Sequence, residues 1–197
     1  MYSFGFGDVT TTGAGVVFLI TGGGKRIGAA VSKKLMEMGW YVLIHVNSSV
    51  EEARKIISDF SSSNGNVSCG DVVTGNLLVD SDVDRLIVDV INHPAVIDSN
   101  GLSGLIHNAS IYSSIEIDEV SLSDLKMNLK LHVETPFKLT IGLKEQLKSA
   151  KGCVVGMVDT SLGRSWKGLS HYTSSKAALR QLMINMAGDY HPHVRVN

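Results

Sequence analysis

Val16-Val-Phe-Leu-Ile-Thr-Gly-Gly-Gly-Lys-Arg-Ile-Gly28 decides the fold. The unbroken apolar run Val16 to Ile20 reads as a strand covered on both faces, since a half-exposed strand would alternate apolar and polar residues. Thr21 to Gly28 then turns the chain, and Arg26 to Met38 reads as a helix closed by Gly39. A glycine turn in this position brings the exposed N–H groups of a helix N-terminus close to whatever anion sits over it, a pyrophosphate being the obvious candidate. A plain glycine-rich turn remains the alternative for this segment alone. The nearby Gly13-Ala-Gly15 precedes the strand and cannot cap the helix.

Outward from this unit, strand and helix signals alternate. Trp40 to His45 is a second strand, and Ser48-Ser-Val-Glu-Glu52 opens a second helix with capping-box chemistry. Val72 to Leu78 is a third strand, Val83 to Ile91 a third helix, and Leu105-Ile-His107 a fourth strand. Leu122 to Leu147 is long and helical but interrupted near Pro136. Gly152 to Val158 is a fifth strand, His171 to Ala187 a helix, and Val194-Arg-Val196 the start of a sixth strand. Apolar strands alternating with helices predict an α/β protein: a doubly wound parallel sheet between two helical layers, in one domain over 15–197 after an N-terminal extension, 1–14.

Composition narrows the partners. With 44% hydrophobic and 19% charged residues and a formal net charge of −1, the 197-residue chain has no long-range attraction for nucleic acid or anionic membrane. Val16 to Ile20, the longest apolar run, is too short to span a bilayer, and Met1 to Thr12 lacks the basic and apolar regions of a signal peptide. Cys69 and Cys153 fit no metal spacing and no disulfide framework. A cytoplasmic protein without a metal is expected.

The glycine turn points to a dinucleotide. Gly22, Gly24, Lys25, Arg26, Ile27 and Gly28 are its candidate residues in the turn. An acid after the second strand would bind a ribose 2′-hydroxyl, but here His45-Val-Asn-Ser-Ser49 carries none. Asn47 and Ser48 stand in its place, and Lys25 and Arg26 add positive charge, which favours NADP(H) over NAD(H). After the third strand, Asn76 and Leu77 are candidates for the adenine side, with Asp71 and Asp80 as rivals.

The chemistry resides near the C-terminal end. Tyr172 and Lys176 stand at i and i+4 on one helix face, and Asp159 precedes the tyrosine by thirteen residues. An ammonium beside a phenol favours the phenolate, so Tyr172 is expected to be a stronger acid than free tyrosine. Such a donor suits the reduction of a carbonyl or an imine, although Tyr-x-x-x-Lys by itself also arises by chance on amphipathic helices.

Together, Thr21-Gly-x-x-x-x-x-Gly28, Asn108-Ala-Ser110 after the fourth strand and Tyr172-x-x-x-Lys176 resemble the short-chain dehydrogenase/reductase family, in the right order over most of the chain. The resemblance implies a Rossmann-like fold, with Asn108 and Ala109 beside the cofactor and Lys176 on the nicotinamide ribose. The finer likeness is to the pteridine reductases, including the dihydromonapterin reductases. Arg26 replaces the middle glycine of the turn, Asp159 the usual catalytic serine, and His107-Asn-Ala-Ser110 the usual Asn-Asn-Ala-Gly, while Tyr112 stands where that group places an aromatic platform. His132, four residues before Pro136, takes the place of the family's structural asparagine, which leaves a proton relay or a structural role open.

The resemblance implies reduction of a dihydropterin C=N bond by NADPH in a homodimer or homotetramer. Tyr172 would supply the proton, Asp159 would anchor the pterin, Ser110 would add a hydroxyl contact, Tyr112 would stack on the ring, and Arg26 would reach phosphate and pterin. Reduction of a 3-oxoacyl thioester or another small ketone is the enzymatic alternative, and a non-catalytic dinucleotide-binding module the other. Family members continue past Val194-Arg-Val-Asn197 through a Pro-Gly turn, a substrate-covering segment and a last strand, which this chain lacks. The intact pattern from Val16 to Asn197 favours a sequence that runs on over a shortened relative.

Overall fold

The computed structural model describes residues 15–63, 65 and 68–197, so the expected extension 1–14 lies outside the described residues. The strands are β1 (Val17–Thr21), β2 (Tyr41–Val46), β3 (Gly70–Thr74), β4 (Gly104–His107), β5 (Cys153–Gly156) and β6 (Arg195–Val196). They form one sheet in the order β3-β2-β1-β4-β5-β6, with every pairing parallel. Between them run α1 (Arg26–Glu37), α2 (Val50–Ser63), α3 (Asp80–Ile91), α4 (Pro94–Asp98), α5 (Leu122–Leu129), α6 (Thr135–Gly142), α7 (Lys144–Ser149) and α8 (Ser170–Tyr190).

Period-two alternation along β1 explains the layers. Val17 and Leu19 join Val83, Leu86, Leu139 and Leu179 from α3, α6 and α8 on one face. Phe18 and Ile20 join Met36, Ala53 and Ile56 from α1 and α2 on the other. Leu19, Ile20, Leu43, Ile44 and Leu105 are wholly buried, each stabilising the fold by roughly 1.5–3 kcal/mol. The predicted doubly wound sheet is thus the observed one.

Strand order reverses at β1, whose neighbours β2 and β4 lead away in opposite directions. A crevice opens outside the carboxyl ends of strands at such a switch point, between the turn after β1 and the turn after β4. Three local features depart from expectation. β3 is shifted toward the N-terminus because Gly70 and Asp71, poor strand formers, hide its start, and Leu77 falls in the following loop. Helix α4, which no sequence pattern announced, is a single short turn capped by His93, whose Nδ1 accepts from the Ala95 N–H at 3.2 Å. The expected interruption near Pro136 is a π-helical turn, Lys130–Glu134, joining α5 to α6. Pro136 has no N–H to give the carbonyl of His132, and the Thr135 N–H reaches back to Lys130 instead.

Candidate active site

The glycine turn is held from below by three side chains. Thr21 Oγ1 accepts from the backbone N–H groups of Asn108 and Ala109 at 3.0 and 3.1 Å. The Asn108 side-chain amide donates to the carbonyls of Thr21 and Gly22, both at 3.0 Å. His45 accepts from the Gly22 N–H at 3.3 Å and donates through Nε2 to the Gly75 carbonyl at 3.0 Å, joining the ends of β1, β2 and β3. Burial pushes this histidine down to about 4, against the opposing effect of its bond to Gly75, so it is neutral at physiological pH. Gly22 has φ +64, and a Cβ there would meet Ala109 Cα at 3.0 Å. A Cβ on Gly28 would lie 2.2 Å from the Gly22 carbonyl oxygen, so only glycine lets α1 approach the turn.

Above the turn lies a cleft of about 510 Å³. Its walls include Gly22, Lys25, Arg26, Ile27 and Gly28 from the turn and Asn47 and Ser48 from the end of β2. Asn76 and Leu77 line it beyond β3, and Asn108, Ala109, Ser110 and Tyr112 beyond β4. Of the expected residues, Gly24, His132, Asp159, Tyr172 and Lys176 do not line it. A Cβ on Gly24 would meet Val46 Cγ1 at 2.7 Å, so it serves packing. The rivals also lie elsewhere: Asp71 is near His93, and Asp80 is paired with Lys130. The first turn of α1 has no acidic residue and no side-chain cap, leaving its N–H groups for an anion. A Cβ-free turn, a bare helix N-terminus and a cleft of this size fit a dinucleotide pyrophosphate. Lys25, expected to meet a phosphate, is paired with Glu52 at 2.8 Å on the surface. Arg26 adopts φ +50, the left-handed conformation in which the family has glycine.

Beyond Ser110 and Tyr112, the chemistry residues converge. The Tyr172 hydroxyl donates to Asp159 Oδ2 at 2.9 Å, and Asp159 Oδ1 accepts from the Ser161 N–H at 2.8 Å. Lys176 Nζ donates to the Met157 carbonyl at 2.8 Å and stands 5.9 Å from the Tyr172 ring centroid. Tyr112 and His132 both meet the Tyr172 ring edge-on, at centroid distances of 5.2 and 5.6 Å. Hydrogen bonds from Ser161 and then Tyr172, with the charge of Lys176, hold the Asp159 carboxyl below the usual carboxylate range.

Here one expectation is corrected. Tyr172 is not made more acidic by its lysine: burial, then the hydrogen bond and charge of Asp159, push it up to about 12. Burial also brings Lys176 down to about 8, with Asp159 opposing. Spacing alone missed Ser175, which faces His132, and Met157, whose carbonyl seats Lys176. Ser175 was within reach, since i and i+3 positions share a helix face with Tyr172. The Met157 contact is a backbone interaction and leaves no trace in residue type.

A switch-point cleft with a Tyr–Lys pair and a carboxylate just beyond its Tyr112 wall defines an oxidoreductase of the doubly wound α/β class. A family model of the short chain dehydrogenases matches residues 16–197, and the chain belongs to that family. It is 27% identical over 190 residues to a dihydromonapterin reductase of Enterobacter, covering 91% of this chain and 70% of that protein. An uncharacterised oxidoreductase of Mycobacterium bovis is 29% identical over 188 residues, covering 92% of this chain and 52% of its own. The crystal structure of FolM alternative dihydrofolate reductase 1 from Brucella suis, in complex with NADP, superposes with a TM-score of 0.78 at 27% identity, over 92% of this chain and 73% of that one. Among the described residues, no helix is long and apolar enough to cross a membrane, and no cluster of three or more His, Cys, Asp or Glu residues could hold a metal ion.

Proposed function

We propose that the protein is an NADPH-dependent reductase of a dihydropterin C=N bond. The observation that carries this reading is the ionised Asp159 carboxylate, which accepts from Tyr172, whose ring meets the cleft residue Tyr112 edge-on. A carboxylate accepts hydrogen bonds from amino and ring N–H groups, such as those along the edge of a pterin, and binds them more strongly than a serine hydroxyl would. It would repel the alkoxide that forms when a ketone is reduced. The relatives named as dihydromonapterin and dihydrofolate reductases support the same substrate class.

NADPH bound in the cleft would supply the hydride. The residues Gly22, Ile27 and Gly28 would take its pyrophosphate, and Arg26, Asn47 and Ser48 a 2′-phosphate, with no acid in the β2 turn to repel it. Asn76 and Leu77 would flank the adenine, Asn108 and Ala109 the nicotinamide, and Lys176 its ribose. Tyr112, 63% exposed at the cleft's end, would lie against the flat face of the substrate. Tyr172 would give its proton to the substrate nitrogen. An acid held at about 12 delivers a proton only to a strongly basic centre, and a nitrogen that has just received the electron pair of a C=N bond is one.

Parallel assays with dihydrobiopterin and an acetoacetyl thioester test the reading. NADPH oxidation with the pterin and little with the thioester is the expected result; the reverse would assign the site to ketone reduction.

A further inference from the structure

His132 is 1% exposed, yet both of its ring nitrogens are engaged within the site. Nδ1 lies 2.7 Å from Ser175 Oγ and Nε2 lies 3.0 Å from Ser110 Oγ. Ser175 has one hydroxyl proton and two partners at 2.7 Å, the Tyr172 carbonyl, which can only accept, and His132 Nδ1, which can carry a proton of its own; both contacts are satisfied when the hydroxyl proton goes to the carbonyl. Ser175 Oγ can then only accept from His132, so Nδ1 carries the ring proton. Burial, then the charge of Lys176, push the imidazole down to about 3, which leaves it neutral and Nε2 bare. A bare, buried Nε2 requires a donor, and Ser110 Oγ–H is the group in reach. Two other acceptors face Ser110: the Ile111 carbonyl, farther away at 3.4 Å, and the Tyr172 oxygen, whose own proton is given to Asp159; neither would be left as a buried bare nitrogen if Ser110 turned to His132.

We infer that His132 is a positioning residue that turns the Ser110 proton away from the cleft, so that Ser110 offers the substrate only acceptor lone pairs. Ser110 lines the cleft, and the Asp159 carboxylate stands one residue beyond it, on the hydroxyl of Tyr172 that Ser110 also reaches. The two form a wall of acceptors selective for a substrate edge rich in N–H donors. The chain Ser110–His132–Ser175 ends on a backbone carbonyl inside the protein, so it leads no proton to solvent. This separates positioning from a relay. The inference rests on the proposed reading only in taking the substrate to be a heterocycle of the pterin type.

Two measurements test it together. In uniformly 15N-labelled protein, long-range proton–nitrogen spectra between pH 5 and 8 should show one histidine, lost in His132→Gln, with Nδ1 protonated and Nε2 bare throughout. An Nε2–H form, or titration within that range, would overturn the inference whatever the substrate. The second measurement is the ratio of kcat/KM for 7,8-dihydrobiopterin to that for the matching dihydrolumazine, which has an oxo group in place of the 2-amino group. The wild type should favour the amino compound by about tenfold or more, as one charge-free hydrogen bond and a mismatched partner imply. Ser110→Ala and His132→Phe should each reduce the ratio severalfold, the double variant should reduce it no further, and His132→Gln, which keeps an acceptor and a donor, should largely restore it. A ratio unchanged in His132→Phe, with only the melting temperature lowered, would make His132 structural alone. If the wild type reduced neither heterocycle, the pterin reading would fall and the tautomer spectrum would decide the inference.

Discussion

The Tyr172 hydroxyl and the Asp159 carboxylate, 2.9 Å apart, hold each other in opposite protonation states. The bond raises the tyrosine and lowers the aspartate, so the site keeps one proton between them, on the phenol, over the whole physiological range. Removing that hydroxyl in Tyr172→Phe should lower kcat by about 10²–10⁴-fold, the usual contribution of a positioned acid. NADPH affinity, followed by quenching of protein fluorescence, should change less than about twofold in the same variant, because phenylalanine keeps the ring contacts. A variant retaining most of its turnover would remove Tyr172 from the role of acid.

Asp159→Asn separates anchoring from charge. Loss of a charge-assisted hydrogen bond, worth about 1.5–3 kcal/mol, should raise KM for a dihydropterin by about 10- to 100-fold. Asp159→Ser should instead gain activity toward the acetoacetyl thioester. Steady-state assays with both substrates check the two variants; a KM unchanged in Asp159→Asn would mean that the carboxylate does not touch the substrate.

Lys176 sets the alkaline limb. Its ammonium persists below about 8 and is lost above it, so kcat/KM should fall as pH rises through that value. Asp159 holds the lysine up, so the limb should move to lower pH in Asp159→Asn. A pH–rate profile of both proteins reads this directly, and a flat wild-type profile from pH 7 to 10 would contradict it.

Three buried histidines predict acid sensitivity of the fold. His45 is held at about 4, and His107 and His132 at about 3, all below the ordinary 6.5. Their folded values are depressed, so the unfolded chain binds more protons as pH falls below 6.5. Stability is therefore lost from 6.5 downward, at up to about 1.4 kcal/mol per pH unit for each histidine. Melting temperatures measured from pH 7 to pH 4.5 should fall steeply, and His107→Asn should flatten part of the slope.

How far these features were legible beforehand depends on how local they are. The strand, glycine turn and helix from Val16 to Met38 were readable because each step is set by neighbours in sequence, and Tyr172 and Lys176 because one helix turn fixes their relation. Asp159 was found by its distance from Tyr172 in the sequence and by resemblance. The bond between His132 and Ser175 joins residues 43 apart, and that between His45 and Gly75 residues 30 apart, so no spacing rule reaches them. The Tyr-x-x-x-Lys motif gives the acidity of Tyr172 the wrong sign because burial and the Asp159 carboxylate, both invisible in a helical motif, raise its pKa.

Arg26 tests what its backbone costs. A non-glycine residue at φ +50 is strained by roughly 1–2 kcal/mol, which offsets the flexibility glycine would add to the unfolded chain. Arg26→Gly should therefore leave the melting temperature within about 3 °C of wild type, a shift of under about 1 kcal/mol. The KM for NADPH should rise several-fold and that for NADH much less. Equal losses for both cofactors would deny Arg26 any contact with a 2′-phosphate.

The wide turn at Lys130–Glu134 makes this site sensitive to chain length as well as to residue identity. It holds one residue more than a regular helix would, and each residue advances a helix by about 100°. Losing one residue there would let ordinary helical bonding close while α5 and α6 keep nearly their present phase, so the change would fall on the side chains of the turn itself. The sheet would be untouched, but a different side chain would stand opposite Tyr172. Chains of this family are therefore best aligned by the residue count of this turn before the side chain at the position of His132 is compared.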